Sequence, residues 1–220
     1  MHSDILTIQG LTFGYPGRDK VFKNASARIR AGELVVLEGP SGAGKSTLLR
    51  LLCRLEEPLA GTIAMYGESL AAMNPVRLRR RICYIQQTPT VVEGSVRRNL
   101  LLPFGFKANS DLEVPSDTYL RQRLEEFLLH GVTLEQPASA LSVGQRQRIC
   151  VLRSLLLWPE VMLFDEPTSA LDKESAAVVM RAAHSLHAQG VTILLVTHAL
   201  EAGEIENAVP LRVNGRKLER

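Results

Sequence analysis

Gly39-Pro40-Ser41-Gly42-Ala43-Gly44-Lys45-Ser46 puts three glycines, a lysine and two hydroxyls into eight positions and fits G-x-x-x-x-G-K-[ST]. That spacing suits phosphate. Glycines let the backbone curl until successive N–H groups point inward at phosphate oxygens. A helix starting near Lys45 adds the positive end of its dipole. Lys45 would neutralise the terminal phosphates, and Ser46, followed by Thr47, would offer a hydroxyl oxygen to Mg²⁺. A second cluster, Val161-Met162-Leu163-Phe164-Asp165-Glu166, is an apolar run ending in two carboxylates. A strand running to the carboxyl edge of a parallel sheet delivers such residues to a ligand crevice. There Asp165 would hold Mg²⁺, directly or through water, and Glu166 would polarise a water attacking the terminal phosphate. An apolar run ending in Asp-Glu is common at a strand end meeting solvent. Paired with the phosphate cradle, it reads as the second half of a nucleotide site.

These residues need a scaffold, and the apolar pattern supplies one. Residues 5 to 13 and 21 to 30 alternate apolar and polar around the turn Tyr15-Pro16-Gly17, which predicts an antiparallel pair. Leu34 to Leu37 is a buried strand, followed by the Gly-rich turn and an amphipathic helix from about Lys45 to Leu55. Gly61 to Tyr66 and Ile82 to Ile85 read as strands, and helical patterns run over about 95–102, 116–130 and 143–157. Strand (161–164), helix (173–189) and strand (192–197) follow, then a hairpin marked by Asn214-Gly215. Buried strands alternating with helices predict a largely parallel sheet covered on both faces. The expected division is a core of residues 1–87 and 158–220, with 88–157 as an inserted helical subdomain.

Composition excludes several classes. With 45% hydrophobic and 22% charged residues in 220, the chain is neither a disordered tail nor a coiled-coil rod. No apolar run approaches the ~20 residues of a transmembrane helix. Met1-His2-Ser3-Asp4 does not open a signal peptide. Cys53, Cys83 and Cys150 lack metal-ligand spacing and read as buried small apolar residues. The net charge of +3 is too weak to argue for nucleic acid by itself, and with no interleaved aromatic platform no nucleic-acid partner is expected. Arg77, Arg79, Arg80 and Arg81 read first as a solvated basic helix edge, and second as a contact for lipid phosphates or an acidic membrane partner.

Leu141-Ser142-Val143-Gly144-Gln145-Arg146-Gln147-Arg148 lies between the cradle and the carboxylates. With these three motifs in order along essentially its whole length, the chain resembles the ATP-binding cassette (ABC) ATPases, whose usual signature is Leu-Ser-Gly-Gly-Gln. The resemblance implies an α/β P-loop NTPase (RecA-like) core with an N-terminal antiparallel β subdomain and an inserted helical subdomain. It implies ATP and Mg²⁺ as cofactors. Tyr15 would stack on adenine, while Gln87, rather than Gln86, would sense Mg²⁺ and water. His198 would be the switch histidine, acting with Lys45, Gln87 and Glu166. The resemblance makes Gly39 to Thr47 the phosphate cradle and Ser46, Gln87 and Asp165 the metal residues. Ser142, Gly144 and Gln145 would cap the γ-phosphate bound by a second copy, and Ser169-Ala170-Leu171-Asp172 would cross the interface between copies. Taken singly, a Tyr, a Gln or a His is ordinary packing or surface, as His2, His130, His184 and His187 are expected to be.

Val143 departs from the signature, where the family carries glycine. A β-branched residue does not adopt positive φ cheaply, so ordinary helical dihedrals are expected at this position. The resemblance further implies a head-to-tail homodimer formed around two ATP molecules, an integral membrane permease as partner, and a place on the cytoplasmic face of the inner or plasma membrane. The loop after Gln87 and the short helical segment look most like the ATPase subunit of FetAB-type iron exporters. The alternative is a soluble cassette ATPase in cluster assembly or a similar non-transport role. Intact Lys45, Asp165, Glu166 and His198 argue against a non-hydrolysing scaffold.

Overall fold

The computed structural model describes residues 3–169, 171–197 and 205–220. Four strands form an antiparallel sheet: β1 (Asp4–Phe13), β2 (Phe22–Arg30), β4 (Ala60–Met65) and the two-residue β5 (Glu68–Ser69). Six form the central sheet: β3 (Leu34–Glu38), β6 (Ile82–Ile85), β7 (Val161–Asp165), β8 (Thr192–Val196), β9 (Ala208–Asn214) and β10 (Lys217–Glu219). The orders are β2-β1-β4-β5 and β10-β9-β3-β8-β7-β6. β1 and β2 pair as their alternation predicts, with Ile8 opposite Ala27. In the central sheet β3, β6, β7, β8 and β9 run parallel. β10 is antiparallel to β9 across the Asn214-Gly215 turn.

The central strands are apolar without alternation because both faces are buried. Val35 and Leu37 of β3, Val161 and Leu163 of β7, and Leu194 and Val196 of β8 face a core shared with the antiparallel sheet. Their neighbours Leu34, Val36, Met162, Phe164, Ile193 and Leu195 face a second core, shared with the helices of the chain's middle. The α/β fold class expected from the pattern is the one observed.

The described residues also form six α-helices, besides three short 3₁₀ turns: α1 (Lys45–Leu52), α2 (Pro75–Arg81), α3 (Val96–Leu101), α4 (Asp117–Glu126), α5 (Val143–Leu155) and α6 (Lys173–Ala188). α2 and β5 are additions to the elements read from the sequence. α1, α4 and α5 stop short of their expected ends at residues 55, 130 and 157. Just beyond them Arg54, Leu128 and Trp158 take left-handed φ values of 52°, 49° and 51°, which no α-helix continues through.

The arginine cluster is corrected. α2 is not simply a solvated basic edge, because three of its four arginines tie elements together. Arg79 donates to the carbonyls of Cys53 and Arg54 at 3.1 and 2.6 Å, satisfying acceptors at the end of α1. Arg80 is paired with Asp111 at 2.8 Å and Arg81 with Glu160 at 2.5 Å. All three cysteines are free and buried, as expected. Burial pushes the Cys53 thiol up to about 11 and the Cys83 thiol to about 12.

Candidate functional site

β3, β6, β7 and β8 are parallel, so their carboxyl ends share one edge of the sheet. Residues 39–47 leave β3 there, Asp165 ends β7, and Gln86 and Gln87 leave β6. The cradle's backbone admits only glycine at two points. Gly39 has φ 143°, and a Cβ there would lie 2.5 Å from the Val213 carbonyl oxygen. Gly44 has φ 106°, and a Cβ there would lie 2.3 Å from Val21 Cγ1.

Gly44 is also the N-cap of α1 and supplies no side chain to its first-turn N–H groups. The other described α-helices are all capped by a polar side chain: Asn74, Ser95, Ser116, Ser142 and Asp172. The start of α1 therefore presents backbone donors with no side-chain acceptor, on a loop curled toward them, which is what an anion requires. Lys45 is 6% exposed, and its Nζ donates to the carbonyls of Gly39 and Pro40 at 2.7 and 3.1 Å. It is thus folded back over the cradle.

The structure brings Asp165 and Tyr15 into contact with this cradle and pairs Glu166, the next residue after Asp165, with Gln87. Ser46 Oγ donates to Asp165 Oδ1 at 2.8 Å, and the Tyr84 hydroxyl donates to Oδ2 at 2.7 Å. Burial, then the Asp165 carboxylate it faces, pushes the Tyr84 hydroxyl upward, so it remains a neutral donor. Glu166 has a left-handed φ of 47°, and its N–H donates to the Val196 carbonyl at 3.0 Å. β7 therefore turns sharply at this residue. Glu166 Oε2 accepts from Gln87 Nε2 at 2.9 Å, and Ser169 Oγ lies 3.4 Å from the same nitrogen. Gln86 gives its backbone carbonyl to Gln147 Nε2 at 3.2 Å, while it is the side chain of Gln87 that meets Glu166. The Tyr15 hydroxyl lies 3.5 Å from Thr47 Oγ1, its ring edge-on to Phe13 at 5.1 Å between centroids.

The signature residues form a separate cluster. Ser142 and Gln145 make a reciprocal capping box at the start of α5. Val143 is the first residue of that helix and has a negative φ, as its branching requires. Gly144 packs against Ser175 and Leu171, at the start of α6. There Asp172 caps the helix, and hydrogen bonds from the Ser175 backbone and hydroxyl hold its carboxyl below the usual range. Neither Ser142 nor Gln145 spends its polar atoms on its own chain's cradle. His198 and Ala170 lie outside the described residues.

The donor set fits phosphate and a small hard cation. Mg²⁺ takes oxygen ligands, and in phosphate sites often only one or two from protein; the Ser46 hydroxyl and Asp165 carboxylate form such a pair. Sequence reasoning missed Tyr84. It stands 81 residues from its partner, and only the β6–β7 pairing brings the two together.

Residues 22–169 match the family model described as ABC transporter. The chain is 35% identical, over 94% of its length and 89% of the relative's, to the "Probable iron export ATP-binding protein FetA" of Escherichia coli (strain K12). It is 33% identical over 96% of its length to the "ABC multidrug transporter MDR1" of Cryptococcus neoformans var. grubii, of which it spans only 16%. Among solved structures, cbiO1 from Clostridium perfringens, part of the ABC transporter complex cbiONQ, superposes with a TM-score of 0.77 at 22% identity. That match covers 99% of this chain and 87% of the other.

Proposed function

Because this chain belongs to the ABC transporter family, we propose that it is the Mg²⁺-dependent, ATP-hydrolysing subunit of a membrane transporter that exports iron or another metal. The observation that carries the nucleotide reading is the uncapped start of α1 behind Lys45, with Ser46 of its first turn bonded to Asp165. The metal cargo rests on one relative, which is named for iron export. Among the described residues no helix is long and apolar enough to cross a membrane. A permease partner at the membrane's cytoplasmic face is supported by the family match and by cbiO1, which is part of a transporter complex.

The reaction uses positioning and charge. Lys45 exchanges its bonds to Gly39 and Pro40 for phosphate oxygens, and the first-turn N–H groups of α1 hold the rest. Ser46, Asp165 and Gln87 would hold Mg²⁺, which would supply positive charge to the transferred phosphoryl oxygens. Glu166 orients the attacking water and takes its proton. Gln87 fixes the carboxylate of Glu166, and His198 senses the terminal phosphate. Two copies pack head to tail, so that Ser142, Gly144 and Gln145 of one cap the cradle of the other while Asp172 lies along the interface. Residues 1–87 and 158–220 act as the motor core, and 88–157 carries the permease contact.

The test is direct. The purified chain releases phosphate from ATP only with Mg²⁺, and it co-purifies with an integral membrane protein from its own cell. No phosphate release overturns the enzyme assignment. Release without a membrane companion overturns the transporter assignment and favours a soluble role. Val143→Gly leaves phosphate release within a few-fold of wild type, since Val143 already has helical dihedrals; a large gain would show that it restrains turnover.

A further inference from the structure

Asp165 has two carboxylate oxygens, and each receives a different hydroxyl. Ser46, on the first turn of α1, donates to Oδ1 at 2.8 Å; Tyr84, on β6, donates to Oδ2 at 2.7 Å. The two donors are not equivalent. Ser46 belongs to the cradle, and its oxygen is the one expected to meet the cation. Tyr84 is rooted elsewhere. It pairs with Leu163 across the parallel β6–β7 ladder, and Asp165 is two residues beyond Leu163, so Tyr84 and Asp165 share one face of the sheet. Its half-buried ring packs against the core beneath the cradle. Asp165 itself is 6% exposed, so solvent competes little with these two donors for its oxygens.

We propose that Tyr84 is a positioning residue that sets the cation preference of the site. By holding Oδ2, it leaves Oδ1 as the single oxygen turned toward Ser46. One fixed oxygen suits Mg²⁺, which demands near-ideal octahedral geometry at short distances. A carboxylate free to rotate would present both oxygens. Two oxygens suit Ca²⁺, which accepts bidentate carboxylates and irregular shells. The hydroxyl of Tyr84 therefore favours the smaller ion without touching it. This rests on the nucleotide reading above, and its experiment separates the two.

The variant is Tyr84→Phe in the full chain, which removes one oxygen and no packing volume. Affinity for a fluorescent, non-hydrolysable ATP analogue is measured with EDTA, then across Mg²⁺ and Ca²⁺ titrations. With EDTA the variant matches wild type within twofold. The Mg²⁺ concentration needed for the cation-dependent gain rises 3- to 10-fold, and the Ca²⁺ concentration changes by less than twofold. Superimposable Mg²⁺ curves overturn the proposal. An equal loss for both cations, or a loss already present with EDTA, also overturns it by assigning Tyr84 a packing role. A wild-type chain that binds no analogue under any condition overturns the nucleotide reading itself, and this inference with it.

Discussion

Glu166→Gln stops most phosphate release while ATP still binds. A positioned general base contributes about 10²- to 10⁴-fold, and the amide removes that capacity with almost no change of shape. The backbone argues for the same outcome. Glu166 occupies a left-handed conformation at the end of β7, anchored by its N–H to Val196. Glutamine bears the same Cβ and Cγ as glutamate and so inherits that conformation at no new cost. Its side-chain oxygen still accepts from Gln87. The cradle, Lys45 and the Ser46–Asp165 pair are untouched. With hydrolysis blocked and binding intact, ATP and Mg²⁺ hold the variant as a dimer. Gel filtration with ATP and Mg²⁺, alongside a phosphate-release assay, reads both effects. A monomer with undiminished turnover would sink the assignment of Glu166.

Lys45→Ala abolishes useful nucleotide affinity. A hydrogen bond to a charged group contributes about 1.5–3 kcal/mol, and each ~1.4 kcal/mol is tenfold in Kd. The ammonium now bridges two carbonyls of its own loop. Redirected to phosphate, two such contacts imply a Kd weakened by about 10²- to 10⁴-fold. Equilibrium binding of a fluorescent ATP analogue tests this, with a thermal melt to show that the variant is folded. An unchanged Kd would refute the role given to Lys45.

The parts of this molecule legible in its sequence are those where one residue type is the only physical solution. Glycine at 39 and 44 is such a case, because a Cβ at either would collide with a neighbour. So are the continuous apolar runs of β3, β7 and β8, which no half-exposed strand would carry. Helix ends were legible on the same condition. α6 ends beside Gly190, φ 88°, one residue from its expected limit. α1, α4 and α5 end at ordinary side chains forced left-handed, and Arg54, Leu128 and Trp158 carry no mark of that in their chemistry. Tertiary packing meets that cost, of about 1–2 kcal/mol each. α2 did have a start signal, Asn74 before Pro75, and the Asn74 side chain accepts from the N–H groups of Val76 and Arg77. Seven residues were too few for a period to emerge. The partners of Arg79, Arg80, Arg81 and Tyr84 were hidden for another reason. They lie 25 to 81 residues away, and only the folded sheet and helices bring them close.

The stretch from Gln86 to Thr90 has no regular structure of its own, yet it hangs on α5. Gln147 grips the Gln86 carbonyl, and Cys150 and Arg153 both grip that of Thr90, at 3.2, 3.4 and 3.1 Å. Beyond it the buried Asn99 clasps Val92 through both its N–H and its carbonyl. A tether fastened this often has little mechanical slack. Thrust applied to it would reach the middle of α5, the helix that begins within the signature. The same tether carries Gln87, so a displacement there also pulls on the carboxylate of Glu166. One stroke at this point would drive two outputs with a common phase, as a crank drives two rods.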